Sequence, residues 1–163
     1  EFLNALQKEY PIPDHEIWAT TVNVSRIETT NKVFNKIPDD CVVWLDIRFI
    51  PEEAETIKKS IQQLLPKGFT FDVSVDEPAL LTDEKNELVK LLKKVVHHTA
   101  HKNARLRGAH GSSDARHFAH VNSSSVEFGP IGGGIGSDYE WVNIPSLEKY
   151  YRTLKNFLLS VKN

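Results

Sequence analysis

The chain has 163 residues, 40% hydrophobic and 26% charged, the makeup of a soluble globular protein with one ordinary domain or two small ones. Its net charge of −2 with His neutral gives no basic surplus to suggest nucleic acid, and no apolar run approaches the roughly 20 residues of a membrane span. A single cysteine, Cys41, excludes an intrachain disulfide and a cysteine-based zinc cluster and suits a reducing cytoplasm. There is no methionine, not even at the start, and no signal-peptide pattern, so a processed chain or a fragment is expected.

Residues 1–10 read as a short helix carrying Phe2, Leu3 and Leu6, ended by Pro11 and Pro13. Residues 17–28 are rich in β-branched types and read as a strand. Over 42–50, Val43, Leu45, Ile47 and Phe49 line one face of a strand while Asp46 and Arg48 take the other. Pro51 opens a helix with Glu52 and Glu53 in its first turn, where the helix dipole favours anions. Its stripe is Ala54, Ile57, Ile61, Leu64 and Leu65. After Lys67-Gly68, Phe69, Phe71, Val73 and Val75 alternate with polar residues, the pattern of a half-buried strand. The order α-β-β-α-β becomes a ferredoxin-like β-α-β-β-α-β layer if one strand precedes residue 1. The chain is therefore expected to begin inside a domain.

Glu77-Pro78 reads as a boundary. Thr82 or Asp83 can cap a helix of about residues 83–101, with Leu88, Leu91, Leu92, Val95 and Val96 at helical spacing. Residues 104–116 read as loop, 114–120 as a short helix, and Val126-Glu127-Phe128 as a short strand. A Gly-rich stretch runs from Gly129 to Gly136. A last helix over 146–161 places Leu147, Tyr150, Tyr151, Leu154, Leu158 and Val161 on one face.

Seven histidines raise the question of metal. His97 and His101 share a helix face and could clamp an ion, but a cation near a helix C-terminus is favoured in any case, and that reading is preferred. His117 and His120 read as surface residues. His110, in a Gly-bounded loop, is a lesser candidate for substrate contact. Gly132 to Gly136 lacks the Lys and Ser/Thr of a P-loop and reads first as a tight loop. Ser112 and Ser113 have His110 and Asp114 nearby, but sequence adjacency does not make a catalytic triad. Arg48 is open to two readings. It either joins a cross-strand ion pair with little surface value or reaches outward as a bidentate carboxylate receptor.

Three segments decide between such alternatives when taken in order. They are Asn35-Lys36-Ile37-Pro38-Asp39-Asp40 with Leu45-Asp46-Ile47-Arg48, then Gly111-Ser112-Ser113-Asp114-Ala115-Arg116, then Glu127-Phe128-Gly129-Pro130 with Gly136-Ser137-Asp138-Tyr139-Glu140-Trp141-Val142. Their order and spacing resemble the dizinc metallopeptidase family of aminoacylases, carboxypeptidase G and succinyl-diaminopimelate desuccinylase. The resemblance implies that residues 1–78 form most of a lid, or dimerisation, domain, with its first strand missing. It implies that residues 79–163 are the C-terminal α/β portion of a catalytic domain.

The resemblance also implies two zinc ions, a bridging water and a general-base Glu, almost all held by a segment outside this chain. No catalytic residue is expected here. The one metal ligand expected in this part aligns on Gly136, which has no side chain, so the chain alone is expected to bind no zinc and to be inactive. Substrate recognition remains: Asn35 resembles a lid Asn that contacts substrate or oxyanion, Arg48 the receptor of the substrate carboxylate, and Gly111 and Ser112 a pocket wall. Asp114 and Glu140 are expected behind that wall or in structural roles. Thr29-Thr30 departs from a Gly pair common in the family. The implied activity is amide hydrolysis of N-acyl amino acids or short peptides, in a cytoplasmic homodimer joined through the lid, without nucleic acid or membrane. The alternative is a non-catalytic dimerisation module derived from the same fold.

Overall fold

A computed structural model describes residues 1–14 and 18–161. Ile17, the first residue of the expected first strand, lies outside the described residues. The chain divides into two compact units, Glu1–Ala79 with Ala109–Ser113, and Leu80–Gly108 with Asp114–Asn163. The fold class is mixed α/β, with small antiparallel sheets and several helices.

In the first unit, α1 (Phe2–Glu9) is built largely from strong helix formers and buries Leu6. Strand β1 (Thr21–Glu28) pairs antiparallel with β2 (Val42–Arg48), Thr21 opposite Arg48 and Glu28 opposite Val42, with a bulge between Val24 and Arg26. A buried Thr20 hydroxyl accepts the Ile50 N–H at 3.1 Å and closes the open end of the hairpin. Pro51–Glu53 form a 3-10 turn, and the helix proper, α2, begins later, at Ile57–Leu64. Leu6, Ile57 and Ile61 make the core, with Ile61 fully enclosed. Val22, Leu45 and Ile47 from the inner sheet face pack on it. Burial pushes the Tyr10 phenol above its ordinary pKa, opposed by a hydrogen bond with Ser60.

The segment 69–75 departs from expectation. Phe71 packs on the core, but Val73 and Val75 are exposed and no ladder forms there. An alternating segment becomes a strand only when a neighbouring backbone supplies its hydrogen bonds. The only sheet described in this unit is β1 with β2, and neither of those strands lends segment 69–75 an edge. An ion pair from Lys58 on α2 to Asp76 holds the segment's end.

In the second unit, α3 (Glu87–Ala100) is capped by Asn86, whose Oδ1 accepts from Leu88 N at 2.9 Å and Val89 N at 3.3 Å. The expected caps are used elsewhere. The Thr82 hydroxyl donates to the Ser125 carbonyl at 2.5 Å, and the Asp83 carboxylate accepts from Lys85 N at 2.8 Å. His101 ends α3 in the left-handed conformation, and His97 Nδ1 pairs with Asn103 Oδ1 at 3.1 Å. Helix α4 (Ile144–Val161) packs on α3, and the Thr99 and Thr153 hydroxyls meet at 2.5 Å between them. Residues 126–128 form no strand. The ladder lies instead between β3 (Gly132–Gly133) and β4 (Trp141–Val142), where a Cβ on Gly132 would sit 2.7 Å from the Trp141 carbonyl oxygen.

Candidate functional site

The outer face of the hairpin carries the polar residues. Register places Thr21 beside Arg48, Asn23 beside Asp46 and Arg26 beside Trp44, because residues directly opposite in a ladder share a face. Arg48 Nε donates to Asp46 Oδ2 at 3.2 Å, and Arg48 Nη1 donates to the His110 carbonyl at 3.2 Å. The ion pair therefore runs along one strand, not across two. With side chains 46% and 48% exposed, it adds little stability.

The His110 contact carries more information. It draws Ala109–Ser113 onto this unit, and the His110 ring lies 5.2 Å from the Trp18 ring. Three expected positions, Arg48, Gly111 and Ser112, thus fall at one end of the hairpin.

Asn35 falls at the other end. It sits, exposed, in the connector from β1 to β2. A seven-residue β2 at about 3.3 Å per residue puts roughly 20 Å of strand between that connector and Arg48. The connector is braced from within. Asn31 Nδ2 donates to the Val33 and Lys36 carbonyls, both at 3.0 Å, and Val33 N donates to Asn31 Oδ1 at 3.0 Å. Asp40 accepts from the Thr30 hydroxyl at 2.5 Å and the Thr30 N–H at 2.9 Å. The hydroxyl bond first, and the amide bond after it, hold the Asp40 carboxylate below its ordinary pKa.

Asp114 and Glu140 belong to the second unit. Asp114 heads a 3-10 segment over Asp114–Val121, its carboxylate 3.8 Å from Arg116 Nη1. Glu140 Oε2 accepts the Gly136 N–H at 3.2 Å. Gly136 has φ +76, with open space where a Cβ would point. The residues here do not fit a zinc ligand at this position: Gly136 offers no ligating side chain, and the Glu140 carboxylate braces its backbone N–H.

Sequence reading missed one cluster on the same sheet face. The Arg26 guanidinium lies 4.7 Å from the Trp44 ring centroid, and Glu28 Oε2 accepts from Trp44 Nε1 at 2.7 Å and Arg26 Nη2 at 3.2 Å. The bulge at Val24/Arg26 sets this pairing, and no residue pattern marks that bulge in advance.

Residues 1–73 match a peptidase dimerisation domain. The succinyl-diaminopimelate desuccinylase of Hydrogenovibrio crunogenus is 28% identical over 146 residues, covering 87% of this chain and 39% of that protein. The enzyme of the same name from Rickettsia bellii is 25% identical over 152 residues, covering 88% and 38%, and that from Hahella chejuensis 27% over 136, covering 80% and 35%. The chain thus spans about two fifths of the length of these relatives. No solved structure matches it.

Residues 1–73 therefore belong to the peptidase dimerisation domains. With the desuccinylase relatives, this makes the chain similar to the metallopeptidases that its three segments resemble.

Proposed function

We propose that this chain is part of a zinc-dependent amidohydrolase acting on N-acyl amino acids or short peptides, N-succinyl compounds foremost. Residues 1–78 serve as its lid and dimerisation domain, and residues 79–163 return to its catalytic domain. The observation that carries this reading is Arg48, held on an open sheet face by Asp46 and the His110 carbonyl beside Gly111 and Ser112. Its planar fork suits a substrate carboxylate. The activity for which the desuccinylase relatives are named supports the reaction class.

In this proposal the catalytic zinc is held mainly by residues outside the chain, and Gly136 adds no side-chain ligand to it. Asn35, at the far end of the hairpin from Arg48, serves a different substrate site from the Arg48 of its own protomer, which fits a homodimer joined through the lids. A cytoplasmic location suits the free, exposed Cys41. No helix among the described residues is long and apolar enough to cross a membrane.

The purified chain, supplied with zinc and N-succinyl or N-acetyl amino acids, is expected to show no hydrolysis above background. Turnover would refute the division of labour. Gly136 also favours the alternative of a non-catalytic dimerisation module. If Arg48→Ala in the intact protein disrupts dimers while leaving activity unchanged, that alternative wins.

A further inference from the structure

We infer that Asp46 is the positioning residue for Arg48 and fixes which edge of its guanidinium a carboxylate meets. The inference rests on the reading of Arg48 as a carboxylate receptor. A guanidinium offers two bidentate edges, one through Nε and Nη2 and one through the two Nη atoms. Asp46 Oδ2 takes the Nε–H at 3.2 Å, so an internal carboxylate already engages the first edge at Nε. The His110 carbonyl takes one of the two Nη1 hydrogens at 3.2 Å, which leaves the other Nη1 hydrogen and Nη2 for a ligand. A substrate carboxylate is thereby directed to the Nη edge.

The two residues stand at i and i+2 on one strand, so the backbone itself sets their spacing. Asn23 lies opposite Asp46 and Thr21 opposite Arg48, which makes Asp46 the only carboxylate within that four-residue block of the face. Asp46 acts in two opposing ways. It repels an incoming carboxylate, but across an exposed face where water and salt screen the repulsion. It also removes the rotamer freedom that a long, loose arginine gives up on binding. At this exposure the positioning effect dominates.

The test uses the intact protein and whichever N-succinyl or N-acetyl amino acid it hydrolyses fastest. Asp46→Ala is expected to raise KM about fivefold, the upper range for an exposed ion pair, with kcat and the thermal midpoint unchanged. Asp46→Asn keeps an acceptor for the Nε–H and is expected to return most of the loss, which a purely electrostatic role would not do. Arg48→Ala is the control and is expected to raise KM more than either. If Arg48→Ala raises KM but Asp46→Ala leaves it unchanged or lowers it, the positioning role is overturned and the receptor reading stands. If Arg48→Ala leaves KM unchanged, or if no amide substrate is turned over, the receptor reading falls and this inference with it.

Discussion

The two units answer the same problem, how to bury an amphipathic helix, in opposite ways. In the first unit, the stripe on α2 meets the inner face of the hairpin and α1, and Leu6, Ile57 and Ile61 are 3%, 3% and 0% exposed. In the second, α4 turns Thr153 toward α3 and leaves Tyr151 and Leu158 63% and 62% exposed. A helix draws most of its stability from packing its apolar face. The first unit satisfies that demand with its own residues. The second leaves four of the six residues of the α4 stripe exposed, Leu147, Tyr151, Leu158 and Val161, the arrangement expected of the proposed return into a larger catalytic domain.

The largest test of this contrast is a pair of truncations. Ile61→Ala removes a fully enclosed side chain and is expected to cost about 3 kcal/mol. Leu158→Ala in the same chain is expected to cost less than about 0.5 kcal/mol, since the side chain is already in water. Urea unfolding of both variants provides the measurement. A Leu158 cost approaching that of Ile61 would show that the stripe is covered in solution, by a second copy or otherwise, and would end the contrast.

A smaller effect is expected at the start of α3. Asn86→Ala removes the acceptor for two otherwise unpaired N–H groups and is expected to cost about 1 kcal/mol, read from the same unfolding curves. Thr82→Ala tests the competing assignment. Its hydroxyl serves Ser125, so its loss is expected to loosen the 80–86 segment without shortening α3, which far-ultraviolet circular dichroism separates.

This pair also shows how far the sequence could be read. The helices and the central strand were legible because apolar spacing is a property of each segment taken alone. The cap was not, since Thr82, Asp83 and Asn86 are chemically equivalent candidates, and the choice depends on Ser125, 43 positions away. The ladder of β3 with β4 was hidden because glycines carry no strand signal. At the site, Arg48 stood out as a cation alternating with apolar neighbours. Its second partner did not, because a backbone carbonyl such as that of His110 has no signature in sequence. Segment 69–75 erred in the other direction: its alternation was real, but a ladder needs two backbones.

The finest test lies within the first unit, at the connector that presents Asn35. Asp40 accepts two hydrogen bonds from Thr30, and they hold its carboxylate below the ordinary pKa. The sign follows from linkage: a group whose pKa is lowered by folding stabilises the folded form above its unfolded pKa. That contribution is lost as pH falls through the folded value. The connector is thus expected to be fully braced at neutral pH and to loosen only at the acid end, below the ordinary carboxylate range. Asp40→Asn retains an acceptor but not the charge, so the connector should be looser at neutral pH and lose its acid transition, matching the wild type only below it. The Thr30 amide resonance, followed against pH by NMR, reads this directly, because its N–H is one of the two donors. A Thr30 shift that titrates near neutrality, or an unchanged acid transition in Asp40→Asn, would assign the bracing to the Asn31 hydrogen bonds and leave Asp40 as an ordinary surface carboxylate.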